Sequence, residues 1–293
     1  MRIECLNTCS TSEMVELWNA AFQDYIVPVT MSEQAFTERM RVLQLTPAAS
    51  FVAMEEGRFV GICLQAISAD GQSAWCGGLA VLPAYRGKRI ARSLMEAAIH
   101  YCRVQDVRSM YLEVLADNPG AIALYERLGY HRLTELHYFQ GELASGQRRE
   151  PSKWSQTELT DRLEHTTPPR QRLLSIAVQD EADEGVWQTE DERIPWQARR
   201  EQTPDRELLV LLESNEPIGT ISLKHSSGGV AVHQLQLQRP ADELLLRSLL
   251  ALLGERYGDT ALSWNHEYVQ PELLERIGLQ HRFKQYHLKY ELH

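Results

Sequence analysis

Thirteen consecutive residues constrain this chain more than any others. Leu79-Ala-Val-Leu-Pro-Ala-Tyr-Arg-Gly-Lys-Arg-Ile-Ala91 runs from a short apolar strand, through a proline and a glycine-bearing basic turn, into an amphipathic stretch from Ile90 to about Val104. Apolar residues in that stretch recur at helical spacing, so a long helix starts directly after the turn. A strand, a tight turn and a helix N-terminus make a ready anion site. The first amides of the helix have no partner within it and point at one spot, where the helix dipole also favours negative charge. Gly87 lets the backbone come close to a ligand, and Arg86, Lys88 and Arg89 add three cations. A phosphate or diphosphate is the guest this predicts. The plainer alternative is a solvated basic turn before an ordinary surface helix.

The residues downstream favour the first alternative. A strand, Ser109-Met-Tyr-Leu-Glu-Val114, follows the helix, and then Asn118-Pro-Gly-Ala-Ile-Ala-Leu-Tyr125-Glu-Arg-Leu-Gly129-Tyr130. Gly129 reads as the stop of a short helix, where positive φ is needed. This order of strand, Arg-Gly-x-x-Ile-Ala turn, helix, strand and Asn-x-x-Ala-x-x-x-Tyr-x-x-x-Gly-Tyr resembles the GNAT superfamily of N-acetyltransferases, over roughly residues 1 to 143. The resemblance implies acetyl-CoA as co-substrate, with its diphosphate on Arg86, Gly87, Lys88, Arg89, Ile90 and Ala91. It implies a pantetheine arm lying along Leu79 and Val81, with the Leu79 amide donating to the oxyanion. Tyr125 would be the acid, since a phenol of pKa near ~10 can protonate a departing thiolate of pKa near ~8.5. Asn118 would bond the coenzyme arm or cap the short helix. Glu113 would take the acceptor's proton directly or through water, although on an alternating strand it can equally face solvent. Ala21-Phe-Gln-Asp-Tyr-Ile-Val-Pro28 resembles the substrate-side helix and loop of some members, which brings in Asp24 and Tyr25. The family usually has glycine where this chain has Arg89; a helical backbone is expected there, leaving the amide free and adding a charge.

Composition narrows the partners. The net charge is −10, divided as −3 over the first 150 residues and −7 over the rest. Neither half has the basic surplus of a nucleic-acid binder. No apolar run is long enough to cross a membrane, and the start of the chain has no signal-peptide core. Five cysteines, all in the first half, form no metal spacing, which predicts reduced thiols, a cytoplasmic protein and no metal. Cys76 could be a nucleophile, but a buried small thiol is the commoner case. The expected acceptor is a small-molecule amine or a peptide N-terminus, with no nucleic acid and no membrane, and the chain a monomer or homodimer.

The two halves also resemble each other. Phe51–Gly61 matches Leu209–Gly219, Arg92-Ser-Leu-Met95 matches Arg247-Ser-Leu-Leu250, and Leu124-Tyr-Glu-Arg-Leu-Gly129 matches Leu273-Leu-Glu-Arg-Ile-Gly278, in the same order. Such a series argues for duplication. The fold expected is α/β (α+β), with two GNAT-like domains, each a mixed, mostly antiparallel sheet flanked by helices on both faces. The boundaries are 1–145 for the first domain, 146–170 for a polar linker and 171–293 for a degenerate second copy. That copy has Ala241-Asp-Glu-Leu-Leu-Leu246 in place of the basic turn and Leu274 in place of Tyr125. Its carboxylates repel a phosphate, so its expected role is structural. Two rivals to acetyl transfer stand: a non-catalytic acyl-CoA sensor or scaffold, and a transferase of a larger acyl group accommodated beside Cys76, Gly77 and Gly78.

Overall fold

The computed structural model describes residues 1–27, 29–144, 174–178, 192–199, 205–214, 216–266 and 269–292. The expected linker, 146–170, and Pro28 lie outside these residues. The chain divides into two compact units, one comprising Met1–Glu135, Asp191–Pro204 and Lys284–His293, the other Leu136–Glu190 and Asp205–Phe283.

The first unit runs β1 (Arg2–Cys5), α1 (Thr11–Ala21), α2 (Glu33–Val42), β2 (Phe51–Glu55), β3 (Arg58–Ile67), β4 (Ser73–Val81), α3 (Ile90–Val104), β5 (Ser109–Leu115) and α4 (Pro119–Leu128). Helix starts are set locally. Ser10 and Glu13 form a capping box before α1, Ser32 caps α2, and Asn118 accepts from Ala121 N ahead of α4. Strands β1 to β4 pair antiparallel in sequence, and β4 pairs β5 in parallel. Leu94, Met95, Ile122 and Tyr125, from α3 and α4, pack on one face with Cys63, Met110 and Leu112. Trp18 and Phe36, from α1 and α2, pack on the other with Ile62, Leu64, Trp75 and Tyr111.

The sheet is completed from far away in sequence. Residues 285–291 of the last strand, β12 (Gln280–Glu291), pair antiparallel with β5. The first half's own last strand, β6 (His131–Leu143), gives residues 137–143 to the second unit, where they pair with β11 (Thr260–His266). The compact units therefore cut the chain differently from the expected break between 145 and 171. Packing explains the choice: Leu288 and Leu292 bury themselves among the side chains of α3 and β5, and one fully buried leucine is worth about 1.5–3 kcal/mol.

The second unit repeats the first with β7 (Leu174–Val178), β8 (Glu207–Glu213), β9 (Glu216–Ser226), β10 (Gly229–Leu237), α5 (Glu243–Tyr257), β11 and α6 (Pro271–Arg276). Again one pair is parallel, β10 with β11, and the others are antiparallel. Leu246, Leu249, Leu253 and Leu274, from α5 and α6, pack with Leu209, Ile221 and Trp264. A helical layer on its other face is not among the described residues.

Candidate active site

The site begins with a gap between two parallel strands. β4 pairs β5 only over Ser73–Trp75. Opposite β3, Leu64 faces Gly78 but Gln65 faces Cys76, so Gly77 is an extra residue, a β-bulge that turns the strand. Beyond it β4 and β5 part. The Leu82 amide donates to Val60 O at 2.9 Å. By the alternation of an antiparallel ladder, Ala80 and Gly78 also bond β3, while Leu79 and Val81 turn their backbone groups toward the gap. The Val81 carbonyl is taken by Arg86 Nε at 3.1 Å. Pairing with β5 ends at Trp75 and so does not reach the amides of Leu79 and Val81.

The turn after β4 is partly what its sequence predicts. Gly87 has φ +78 and open space where a Cβ would stand. The amides of Gly87, Lys88, Arg89, Ile90, Ala91 and Arg92 meet no protein acceptor among the described residues, and the first helical bond back to the turn is Ser93 N to Arg89 O. Two expectations are corrected. Arg89 is not helical: its φ is +64 and ψ 12, because the chain reverses there before the first helical turn. A left-handed non-glycine residue costs about 1–2 kcal/mol. Arg86 is not a free cation either. Its guanidinium holds Asp24 through both ends at 2.6 and 2.7 Å and donates to Ala21 O at 2.9 Å, which clips the end of α1 to the end of β4. The cations left for a ligand are Lys88, whose ammonium lies 4.8 Å from the Tyr85 ring centre, and Arg89. Arg89→Gly should stabilise the protein by about 0.5–1 kcal/mol in urea titration, since strain relief outweighs the entropy glycine adds to the unfolded chain. A loss of stability would mean that the side chain makes contacts worth more than the strain.

Tyr125, on the buried face of α4, sets its ring edge against Tyr130, centroids 5.8 Å apart. Burial, with the Cys76 and Cys63 thiols and Tyr25 close by, pushes its phenol well above the ordinary value, so it stays protonated. Gly129 ends α4 at φ +102, as expected. Asn118 bonds the Tyr25 hydroxyl in addition to capping α4. Cys76 is buried, its Sγ 3.9 Å from Cys63 Sγ. The room expected beside Gly77 and Gly78 is filled. A Cβ at Gly77 would meet the Trp75 ring at 2.5 Å, and one at Gly78 the Trp18 ring at 2.6 Å. Arg39, stacked over Trp18, also donates to Gly77 O at 2.8 Å. The glycines admit tryptophans, which removes the observation that favoured a larger acyl group.

Glu113 lies on the opposite face of the sheet from Tyr125, and it does not face solvent: its side chain is 5% exposed. Trp75 Nε1 donates to it at 2.7 Å, the Trp196 amide donates to it, and His287 Nδ1 lies 3.0 Å from its Oε1. Burial raises its proton affinity, but the His287 ring, the Trp75 indole and the Trp196 amide lower it by more, leaving the carboxyl below its usual range. Trp196 stacks parallel on Trp75 at 6.0 Å. His287, Trp196 and Trp18 had no local signal in the sequence; each reads as a core residue, and their partners lie 174, 83 and 60 positions away, at Glu113 and Gly78.

The second unit repeats the strand geometry with different side chains. β10 and β11 pair only over Val230–Val232, with His233 as the bulge residue. Register then places Asn265 where the first unit has Glu113. Asp242 caps α5, accepting from Leu245 N at 2.8 Å, so the helix start that would hold a phosphate carries its own carboxylate. Among the described residues no group of three or more His, Cys, Asp or Glu side chains is placed to hold a metal ion, and no helix is long and apolar enough to cross a membrane.

Residues 12–130 match the family model described as acetyltransferase (GNAT) family. The chain is similar to N-alpha-acetyltransferase 30 of Schizosaccharomyces pombe, 33% identical over 96 residues, which are 32% of this chain and 64% of that protein. It is also similar to the [ribosomal protein bS18]-alanine N-acetyltransferase of Escherichia coli K12, 31% identical over 85 residues, 29% of this chain and 56% of that protein. In both, the match spans less than two-thirds of the relative. The solved tandem GNAT protein from the clavulanic acid biosynthesis pathway aligns over 100% of this chain and 99% of its own, with TM-score 0.58 and 15% identity. A GCN5-related N-acetyltransferase from Sphaerobacter thermophilus aligns over 99% and 95%, with TM-score 0.62 and 13% identity. Those two likenesses establish a tandem GNAT fold.

Proposed function

We propose that this chain, whose residues 12–130 match the acetyltransferase (GNAT) family model, moves an acetyl group from acetyl-CoA to a primary amine, with the chemistry in the first unit. The observation that carries this is the run of unpartnered amides at 87–92 opening α3, beside the unpaired strand-edge amides of Leu79 and Val81. Lys88 and Arg89 supply charge for the diphosphate. The Leu79 amide donates to the oxyanion, a role worth on the order of 3–4 kcal/mol. Tyr125 gives its proton to the departing thiolate. Glu113, through water, takes the proton the acceptor ammonium must lose before its lone pair can attack. Acid and base on opposite faces of the gap suit direct transfer within one ternary complex. The relatives, an N-alpha-acetyltransferase and a ribosomal-protein alanine N-acetyltransferase by name, make a peptide N-terminus or another small primary amine the acceptor to test first.

Acetyl-CoA at about 100 times its dissociation constant should stabilise the chain by roughly 2.7 kcal/mol, visible as a rise in Tm. Thiol release should then follow with an amine library. Absence of any Tm shift with acetyl-CoA would remove the proposal, whereas a shift with no thiol release from any acceptor would favour the sensor.

A further inference from the structure

Glu113 is held by groups from three distant parts of the chain: Trp75, the segment at Trp196, and His287 on β12. His287 is fully buried and sits directly across from Glu113 in the β5–β12 ladder. Its Nε2 lies 3.1 Å from the Glu192 carbonyl oxygen. A carbonyl oxygen can only accept, so Nε2 carries a hydrogen. Its Nδ1 lies 3.0 Å from Glu113 Oε1, and among the described residues neither of these two atoms meets another hydrogen-bond partner. A bare ring nitrogen and a carboxylate oxygen would each present a lone pair to the other, and in a buried site that repulsion is not screened. A single proton held between them resolves it. The other charges around the ring are linked to one another. Glu192 meets Lys289 and the Tyr111 hydroxyl, Lys289 also meets Glu291, and Arg199 lies over the Tyr111 ring.

We propose that His287 is a positioning residue for Glu113: the two share one proton, and the ring holds the carboxylate as an anion aimed to receive the acceptor's proton. In the step itself an N–H bond of the acceptor ammonium breaks and its proton goes to Glu113 by way of water. The freed lone pair attacks the thioester carbonyl, and the C–N bond forms as the C–S bond breaks. The departing thiolate takes the proton of Tyr125, and the second proton shed by the nitrogen restores Tyr125 by way of solvent. This rests on the proposed role of Glu113 as base. It makes the last strand of the chain, which lies outside residues 12–130, part of the active site.

The test is kcat/KM against pH for the full chain and for Glu113→Gln and His287→Gln, with the acetyl-CoA-induced Tm shift measured alongside. His287→Gln should keep the Tm shift and move the acid limb upward by about one pH unit or more, the effect of removing an opposite charge at this range. Its activity on that limb then falls about tenfold for every pH unit the limb moves, and recovers at alkaline pH. A merely structural role would lower the rate alike at every pH and leave the limb in place, which overturns the proposal. If Glu113→Gln is fully active, the base assignment itself fails. If Glu113→Gln is inactive and the limb of His287→Gln is unmoved, only the role of His287 fails. Should His287→Gln not fold, ¹⁵N chemical shifts of the wild-type ring decide. A hydrogen on Nε2 together with one bridging Nδ1 and Glu113 supports the shared proton, and a neutral ring protonated on Nδ1 alone refutes it.

Discussion

Tyr125→Phe is expected to lower kcat by roughly 10²–10⁴-fold, the contribution of a positioned proton donor, while acetyl-CoA still raises Tm as in the wild type. The separation follows from where Tyr125 sits. Its ring packs against Tyr130 in the core under α4, and phenylalanine preserves that packing. Only the hydroxyl is lost, and with it the proton for the departing thiolate. Burial and the Cys76 and Cys63 thiols keep the phenol protonated, so Tyr125 should impose no alkaline fall in rate over the range where the assay is run. Single-turnover thiol release, with binding followed separately, checks both halves. A variant as fast as wild type would place the acid elsewhere.

Trp18→Ala is expected to cost about 3–5 kcal/mol of stability, in the range for emptying a large aromatic site in a core. The indole is 2% exposed and fills the space over Gly78. It packs on Phe22 and Phe36 with centroids 4.4 and 6.1 Å away. It also donates from Nε1 to Val29 O at 2.9 Å, so its removal strands a carbonyl as well as opening a void. That void lies beside the strand edge proposed to hold the thioester, so propionyl-CoA and butyryl-CoA should gain relative to acetyl-CoA in the variant. Urea titration at fixed temperature measures the first effect, and rates across the three thioesters measure the second. A stability loss under about 1 kcal/mol would mean that the site collapses around the missing ring.

Much of the first unit was legible because its signals are local. Pro83, Gly87 and the apolar spacing of Ile90, Leu94 and Ala98 fix the strand, turn and helix without help from elsewhere. Asn118 and Gly129 mark both ends of α4 for the same reason. The repeated fold was legible from ordered matches, and the carboxylate that caps the start of α5 from Asp242. What escaped depends on residues far apart. Arg86 reads as a ligand cation until Asp24, 62 positions earlier, is seen to hold it. Arg89 takes a left-handed backbone because the chain must reverse before α3, whatever its own preference. Gly77 and Gly78 read as spare room until tryptophans occupy it. No sequence pattern tells a terminal strand which sheet edge to take, so the pairing of β12 with β5, and with it His287 beside Glu113, could not be read in advance.

A crystal of the full chain grown with acetyl-CoA tests the central claim most directly. The diphosphate should accept from the main-chain amides that open α3, between Gly87 and Ala91, with the thioester carbonyl turned to the Leu79 amide and the start of α5 left empty beside Asp242. Those amides bare at saturating ligand, or the diphosphate bound anywhere else on the chain, would contradict the account.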